Sequence, residues 1–449
     1  MNEVEKICIV HVYIFQGGND MKKKLLTLLL TCTMGMSLMA CGASKSEEAA
    51  SQPSSENANE LTVWTWDPAF NIAAMEKAAE MTGIDVNIVE IKSEDAEAKL
   101  TTAAASGSLD TLPDIVLMQD YSFQKFLKSY PEAFTDITDC GIDWSQFGEL
   151  KQSFSMVGDK HYGVPFDNGA AVACWRADIL EECGYKIEDL TDITWDRLIE
   201  IGEDIYEKTG KYMISGTSDS VVVITIMLQS CGANLFDEEG NAWIEGNPAV
   251  ELATDLYIEM VEKNIYLPLN SWDEYIGSIT KGNVVGVMQG NWMTGTIMTM
   301  EEQAGLWEVT NLPKMEGIEG ATHYSNEGGS SWYITSNCKN VELAEKLLVD
   351  TFGSSTDFYD AILPTTGAIS CYIPAAETEA YQEPQEFWNN KPVYSKIVEF
   401  SAQVPNCVQS PYLTEGRKAL ASAIQSIMSG MDKAEALKNA QAELEFKMQ

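Results

Sequence analysis

The sequence predicts an α/β protein with a parallel sheet and more than one lobe. Strand-like and helix-like segments alternate from Leu61 onward, which is typical of α/β folds. Hydrophobic residues make up 45% of the chain, as in a packed globular protein rather than an acidic disordered one. The length of 449 residues exceeds what one hydrophobic core normally holds, so two lobes or domains are expected.

The start of the folded body predicts a βαβαβ unit. The segments are, in order, a strand at 61–66, a helix from Pro68 to Gly83, a strand at 86–91, a helix at 94–106 and a strand at 114–118. Pro68 suits the first turn of a helix, and the continuous apolar run at 114–118 suits a strand covered on both faces. Strands joined through helices in this order form a parallel sheet with right-handed crossovers.

Two carboxylates follow the first and third of these strands. Asp67 comes just past the first strand and Asp120 just past the third, with Trp66 and Tyr121 beside them. Ligands of open α/β sheets bind beyond the carboxyl ends of the strands, so these four side chains are expected at one edge. The alternative for Asp67 is to cap the helix that begins at Pro68, and the alternative for Asp120 is a turn.

The charge balance excludes several classes of function. Lys and Arg number 29 against 68 Asp and Glu, which gives a net charge of −39. Such a chain repels phosphate backbones, so a nucleic-acid partner is excluded. Only three histidines are present, which leaves little material for a histidine-rich metal site, and no phosphate-binding or hydrolase motif occurs. Neither a cofactor nor a metal is expected.

Residues 21–41 predict export and lipid anchoring. A basic cluster begins at Met21, an uncharged and mostly apolar stretch covers 25–38, and small residues precede Cys41. This arrangement describes a secretory signal peptide, with an apolar stretch that is short for a membrane span. Its end, LMAC, resembles the bacterial lipobox, which implies that Cys41 receives lipid and tethers the chain to the outer face of the cell membrane. The alternative is an ordinary signal peptide with an incidental cysteine.

The segments on either side of the signal peptide complete the predicted organisation of the N-terminal part. Signal peptides begin at the basic cluster, so residues 1–20 are expected to be an upstream extension, with translation starting at Met21. Residues 41–59 are rich in Ser, Ala and Glu without an aromatic residue, which predicts a flexible spacer. The folded body is expected to begin near Glu60.

Seven segments, in their order and spacing, resemble one known family. They are LTVWTWD at 61–67, LPDIVLMQD at 112–120, YGVPFDNGAAVACWRADILEECGY at 162–185, TWDRLIEIGEDI at 194–205, KGNVVGVMQGNWM at 281–293, GGSSWYITSNCKNVELAEKLL at 328–348 and AEALKNAQAELE at 434–445. Together they resemble the extracellular solute-binding proteins of ABC importers, in the carbohydrate-binding group that includes maltodextrin-binding protein. One departure is Cys174-Trp175-Arg176, where the family often has Tyr-Asn-Lys.

The resemblance implies a two-lobe periplasmic-binding-protein-like fold of type II. Each lobe is discontinuous, because hinge strands carry the chain between lobes more than once, and the ligand lies in the cleft. Placed on this sequence, the first lobe comprises 60–165 and 313–368, and the second lobe comprises 166–312 and 369–449.

The candidate ligand-binding residues follow from the chemistry of a sugar, which has an apolar C–H face and a rim of hydroxyls. Aromatic rings match the face, and carboxylates or amides bind the hydroxyls. The aromatic candidates are Trp66, Tyr121, Trp272, Trp292, Trp332 and Tyr412, and the polar candidates are Asp67, Asp120, Asp167, Asn168 and Asn291. Trp292 lies in a Gly-Asn-Trp loop after an apolar strand, with packing within the loop as the alternative. Trp332, inside a strand, and Trp272, in a loop-like stretch, could equally be structural. Asp167 and Asn168 could instead build a turn.

The function implied is that of a monomeric, lipid-anchored receptor without enzymatic activity. It would capture a sugar or oligosaccharide and deliver it to the permease subunits of an ABC transporter, with hinge closure around the ligand. Two alternatives remain open at this stage. One is an anchored glycoside hydrolase that uses paired carboxylates. The other is a receptor for a solute that is not a sugar, such as a polyamine, a peptide or a metal chelate.

Overall fold

The computed structural model describes residues 60–408 and 410–449. The predicted upstream extension, signal peptide, lipidation site at Cys41 and spacer lie outside the described residues. The β-strands are β1 Glu60–Thr65, β2 Asp85–Glu90, β3 Ile115–Gln119, β4 Met156–Val157, β5 Lys160–His161, β6 Gly163–Asp167, β7 Ala170–Arg176, β8 Ile214–Thr217, β9 Tyr266–Leu269, β10 Gly286–Gly290, β11 Trp307–Thr310, β12 Ser325–Asn326 and β13 Ser330–Ile334.

The α-helices alternate with these strands in the N-terminal half of the described chain and dominate its C-terminal part. They are α1 Ala73–Thr82, α2 Ser93–Ser106, α3 Asp120–Ser129, α4 Glu149–Phe154, α5 Ala177–Glu182, α6 Trp195–Thr209, α7 Val222–Ser230, α8 Pro248–Glu262, α9 Trp272–Thr280, α10 Met293–Met298, α11 Val341–Leu348, α12 Thr356–Thr366, α13 Ile373–Ala376, α14 Glu379–Gln382, α15 Val393–Ser401, α16 Leu413–Met428 and α17 Lys433–Lys447.

A five-stranded sheet with the order β2-β1-β3-β13-β6 forms the first lobe. Strands β1, β2 and β3 run parallel, which confirms the predicted βαβαβ unit. Strand β13 inserts between β3 and β6 and is antiparallel to both. Both faces of the sheet are covered. Leu61, Val63 and Leu117 pack into one core, and Trp64, Val116 and Met118 pack into the other.

The second lobe is built on the sheet β10-β7-β11, whose strands pair antiparallel, with β12 also paired to β7. Helix α6 begins where the side chain of Thr194 accepts a hydrogen bond from the backbone N–H of Arg197, and it ends at Gly210 in a left-handed conformation. One core contains residues of α6, α7, α8, α16 and α17, and the other core contains residues of β10, β11 and α15.

The chain passes between the lobes at segments that contact each other. Phe166 lies in a first-lobe core and Ala170 in a second-lobe core, so the first crossing lies between them. Gly169 has a φ of 72°, and a Cβ there would stand 2.6 Å from the backbone of Gly328. Only glycine fits where two crossing segments approach this closely. The backbone N–H of Glu327 donates to the carbonyl of Gly169 at 2.8 Å and joins the two crossings.

Core packing places the second crossing later in the chain than the boundary predicted at 313. Met315 and Ala321 belong to a second-lobe core, whereas Trp332 belongs to a first-lobe core. The chain pairs with the second sheet through β12 before it enters the first sheet as β13, so the second crossing segment is 327–329. Near the boundary predicted at 368, Ile369 packs with the second lobe and Cys371 with the first.

In the two described ranges, no helix combines the length and the apolar character needed to cross a membrane.

Candidate functional site

A cavity of about 370 Å³ lies where elements of both lobes and the crossing segments meet. Its wall includes the N-terminus of α3 and part of α4 from the first lobe, and α7 and α16 from the second lobe. The polar and charged residues on this wall are Asp120, Tyr121, Lys151, Asn168, Thr225, Gln229, Asn234, Asn326, Glu327, Ser370, Glu377, Ser401, Asn406 and Arg417. A concave site with convergent polar groups is the usual form of a small-ligand site.

Asp120 forms a buried ion pair on the first-lobe side of this cavity. It is the first residue of α3, directly after β3, and it is 1% exposed. One carboxylate oxygen accepts from the Lys151 ammonium at 2.7 Å, and the other accepts from the Ser331 hydroxyl at 2.7 Å. Burial alone would lower the pKa of Lys151, but the carboxylate of Asp120 beside it raises that pKa above its usual value. The side chain of Lys151 is therefore charged.

Gly329 makes room for this ion pair. Its φ is 105°, in the region that favours glycine, and a Cβ at this position would collide with the ammonium of Lys151. The backbone N–H of Asp120 also donates to the carbonyl of Gly329 at 3.0 Å. The second crossing segment therefore packs directly against the Asp120–Lys151 pair.

A second buried ion pair joins Arg417 of α16 to Glu327 of the crossing segment. Both nitrogen ends of the guanidinium donate to the Glu327 carboxylate, at 2.9 and 2.7 Å. The guanidinium also lies over the ring of Tyr121, 4.9 Å from its centroid. Because Tyr121 belongs to α3 of the first lobe and Arg417 to the second lobe, this contact bridges the lobes. Burial raises the pKa of Tyr121 to about 12, so its phenol is neutral.

Amide and hydroxyl groups complete the polar wall. Asn168 lies in the first crossing segment, where its carbonyl accepts from the side chain of Asn326 at 2.6 Å. On α7, Thr225 and Gln229 also border the cavity. Asn234 follows α7 and donates to the carbonyl of Val408 at 2.7 Å. Such neutral groups both donate and accept, as sugar hydroxyls require.

An aromatic pair lies beside the crossing segment that borders the cavity. Trp292 is half-buried and packs against cores of both lobes, and its indole N–H donates to the carbonyl of Glu327 at 3.0 Å. Trp272 begins α9 and is 47% exposed, with its ring centroid 5.9 Å from that of Trp292. These two rings do not border the cavity itself, but an accessible indole beside a second indole offers a flat apolar surface.

Asn291 adjoins the aromatic pair and is fully buried. Its backbone N–H donates to the carbonyl of Ala170 at 2.7 Å and holds the loop against β7. Neither polar atom of its side chain has a hydrogen-bond partner among the described residues. A buried amide without partners is unusual in a native protein.

Four further predicted residues also do not border the cavity. Trp332 is fully buried in a first-lobe core, because β13 occupies an interior position of the sheet, so it does not face the cleft. Asp67 has a φ of 58° and accepts from the backbone N–H of Ala69 at 3.1 Å, which is the helix-capping alternative. Trp66 is half-buried against a first-lobe core, and Tyr412 precedes α16 against a second-lobe core.

Asp167 lies behind the cavity wall at the end of β6. It is 2% exposed, and its carboxylate accepts from the backbone N–H and the hydroxyl of Ser330 at 2.9 and 2.6 Å. Burial raises the pKa of Asp167 to about 6, although the charge of Lys151 and the bonds from Ser330 act in the opposite direction. This carboxyl therefore ties the first crossing segment to β13.

The raised pKa of Asp167 predicts a pH dependence of stability. The folded chain holds this proton more tightly than the unfolded chain, so the contribution of Asp167 is most favourable below its ordinary pKa of 3.8 and declines as the pH rises to about 6. Asp167→Asn cannot ionise and should lack this decline. Urea unfolding of both proteins across this pH range should show the wild type losing stability relative to the variant. Parallel curves would contradict the expectation.

Most of the cavity wall was not predicted from the sequence, including three members of the buried ion pairs: Lys151, Glu327 and Arg417. The pairs that they form join residues 31 and 90 positions apart, which a linear sequence does not reveal. For Arg417 a signal existed, because it shares the helical face of Leu413, Leu420 and Ile424, where an arginine is out of place. Among the described residues, no group of three or more His, Cys, Asp or Glu is arranged to hold a metal ion.

Comparison with known proteins identifies the family. The family model described as bacterial extracellular solute-binding protein matches residues 73–391. The chain is 38% identical over 386 residues to a lactose-binding protein of Rhizobium radiobacter, a match that covers 85% of this chain and 91% of that protein.

Solved structures match in fold. The ABC transporter associated binding protein from B. animalis subsp. lactis, in complex with β-1,6-galactobiose, matches with a TM-score of 0.73 and 19% identity over 86% of this chain and 97% of that chain. UgpB from Mycobacterium tuberculosis, in complex with glycerophosphocholine, matches with a TM-score of 0.70 and 14% identity over 87% of this chain and 98% of that chain. With two lobes, a cavity between them and a family match over most of its length, this chain belongs to the bacterial extracellular solute-binding proteins.

Proposed function

We propose that this protein captures a disaccharide or short oligosaccharide between its two lobes and delivers it uncleaved to the permease of an ABC importer. The observation that carries the proposal is the cavity of about 370 Å³, with polar groups from both lobes on its wall and an aromatic pair beside it. Polar groups bind the hydroxyls of a sugar and indoles bind its C–H face. The relative at 38% identity, described as lactose-binding, makes lactose the first ligand to test.

The contacts of the cavity carboxylates support binding over hydrolysis. A glycosidase needs one carboxyl group that donates a proton to the leaving group and a second that acts as base or nucleophile. The buried carboxylates on this wall, Asp120 and Glu327, each engage a cation at 2.7 to 2.9 Å instead. Both oxygens of Asp120 and both oxygens of Glu327 already accept hydrogen bonds from protein groups, so neither carboxylate is free to act on a glycosidic bond.

A sugar panel with product analysis tests the proposal. The full chain is incubated with lactose, β-1,6-galactobiose, maltose and arabinooligosaccharides, and thermal melting and chromatography are recorded for each. We expect at least one sugar to raise the melting temperature and to be recovered intact, since a ligand that binds only the folded state stabilises it. Cleavage products would indicate an enzyme, and a panel without any shift would contradict sugar capture.

Closure of the lobes is the second expected result. Because the cavity wall comes from both lobes, a bound sugar contacts both at once only in the closed form and should shift the ensemble toward it. Small-angle X-ray scattering with the stabilising sugar at saturation should give a smaller radius of gyration than scattering without it. A sugar from the panel that does not bind serves as the control, and an unchanged radius would contradict a hinged receptor.

Lipid anchoring of Cys41 is proposed from the sequence around it. Replacing Cys41 with alanine in the full precursor should release the protein into the culture medium or the periplasm, because a lipid rather than a protein span would provide the anchor. Immunoblots of membrane and soluble fractions measure the distribution. Cys32→Ala, within the predicted signal peptide, is the matched control and should remain with the membrane. A Cys41→Ala protein that stays in the membrane fraction would reveal another anchor.

A further inference from the structure

We propose that the cavity accepts neutral sugars and rejects sugars or solutes that carry a net charge. This inference rests on the proposed function and concerns its specificity. The reason is that each buried charge on the cavity wall is already neutralised by a partner within the protein. The residues that set this specificity are Asp120 with Lys151 and Glu327 with Arg417.

The first observation is the burial of both pairs. Asp120, Lys151, Glu327 and Arg417 are each at most 7% exposed. Their charged atoms meet at 2.7 to 2.9 Å, and the Arg417–Glu327 pair is bidentate. Charges at this distance in a site shielded from water attract strongly, and either partner left alone would be costly to keep buried. The two pairs together therefore present a wall without net charge.

The second observation is that neither cation is available to a ligand anion. A uronate that enters the cavity would lose the water around its carboxylate, at a cost in free energy. Only a new ion pair could offset that cost, and forming one would take Lys151 from Asp120 or Arg417 from Glu327. The ring of Tyr121 also covers the guanidinium of Arg417 from a further side. An anionic sugar would thus leave one buried carboxylate unpaired.

The same argument applies to cationic ligands. A polyamine needs carboxylates that are not engaged, and both buried carboxylates of the wall are in ion pairs. The other carboxylate that borders the cavity is Glu377, which is exposed to solvent and screened by it. An overall charge of −39 therefore does not make this cavity a cation site.

The discrimination belongs to these side chains rather than to the fold. UgpB, which shares the fold with a TM-score of 0.70, is complexed with glycerophosphocholine, a molecule with a phosphodiester and a quaternary ammonium. This molecule is a zwitterion, so a two-lobe protein of this shape does not exclude charged groups by its architecture. The paired charges on this particular wall provide the selection.

Calorimetry with matched ligands tests the inference on the wild-type full chain. The probes are lactose and β-1,6-galactobiose, the same disaccharides with one galactose C6 oxidised to a carboxylate or with one hydroxyl replaced by an amine, and spermidine. We expect the charged forms to bind at least about tenfold more weakly than the neutral parent. Charged forms that bind as tightly as the parent would overturn the inference, whereas failure of every neutral sugar of the panel would overturn the proposed function instead.

Two variants probe the pairs separately. Glu327→Gln leaves Arg417 without its counter-charge, and Asp120→Asn does the same for Lys151. Each variant should raise the affinity for the uronate, relative to the affinity for the neutral parent sugar, by about tenfold or more. Glu200→Gln, which neutralises a carboxylate paired with Arg197 on the surface, is the control and should leave the ratio unchanged. If folded Glu327→Gln and Asp120→Asn proteins show the same ratio of affinities as the wild type, these pairs do not set the specificity. If neither variant folds, the calorimetry on the wild type decides the inference.

Discussion

Replacing Arg417 with methionine is expected to lower the free energy of unfolding by ~3–5 kcal/mol, since removal of one partner leaves a buried charge uncompensated. Glu327 is 5% exposed, and both of its carboxylate oxygens accept from Arg417 at 2.9 and 2.7 Å. Methionine retains much of the length of the side chain, so loss of packing contributes little. Urea unfolding followed by circular dichroism measures the difference.

A double variant distinguishes the effect of the unpaired charge on stability from the effect of altered packing. With Glu327→Gln added to Arg417→Met, neither charge remains, and most of the lost stability should return. Arg197→Met, which removes the cation of an exposed pair, is the matched control and should change stability by less than about 1 kcal/mol. An Arg417→Met protein as stable as wild type would show that the pair is not sequestered from water.

Trp292→Ala is expected to weaken by about thirtyfold the binding of a sugar that extends from the cavity over this ring, while the protein remains folded. The indole is half-buried between cores of both lobes and lies 5.9 Å from the ring of Trp272. Truncation removes a flat apolar surface and a hydrogen bond to the carbonyl of Glu327. An aromatic anchor of this kind contributes at least ~2 kcal/mol to the free energy of binding, which corresponds to about a thirtyfold change in affinity. Calorimetric titration with the sugar identified in the panel measures it.

Two controls make the result on Trp292 interpretable. Trp292→Phe retains a ring and should recover much of the affinity. Trp332→Ala removes a fully buried indole from a first-lobe core and should lower stability by ~3–5 kcal/mol, with normal affinity in the fraction that folds. If Trp292→Ala behaves like Trp332→Ala, with normal affinity and a large loss of melting temperature, then Trp292 is a core residue and not a stacking surface.

The parts of the fold that depend on local pattern were predictable from the sequence. Alternation of strand-like and helix-like segments predicted the βαβαβ unit, and β1, β2 and β3 are parallel as expected. Asp120 and Tyr121 border the cavity because they follow β3, where topology alone placed a ligand site. In these cases adjacency in the sequence determines position in space.

The parts that depend on long-range pairing were not predictable. Trp332 lies in β13, and nothing in its local sequence indicates that this strand inserts between β3 and β6. The partner of Asp120 comes from a distant segment, so the sequence indicated an acidic side chain where the structure has a neutral pair. The second crossing was placed too early because the residues before β12 have no pattern that assigns them to either lobe.

A crystal structure of the protein with the sugar that binds most tightly would show directly whether capture occurs between the lobes. We expect the sugar in the cavity between the lobes, with hydroxyls within hydrogen-bond distance of wall residues from both the α3 side and the α16 side. We also expect the Asp120–Lys151 and Glu327–Arg417 pairs to persist in the complex. A sugar bound to one lobe only, or on the outer surface away from Tyr121 and Arg417, would contradict capture between the lobes.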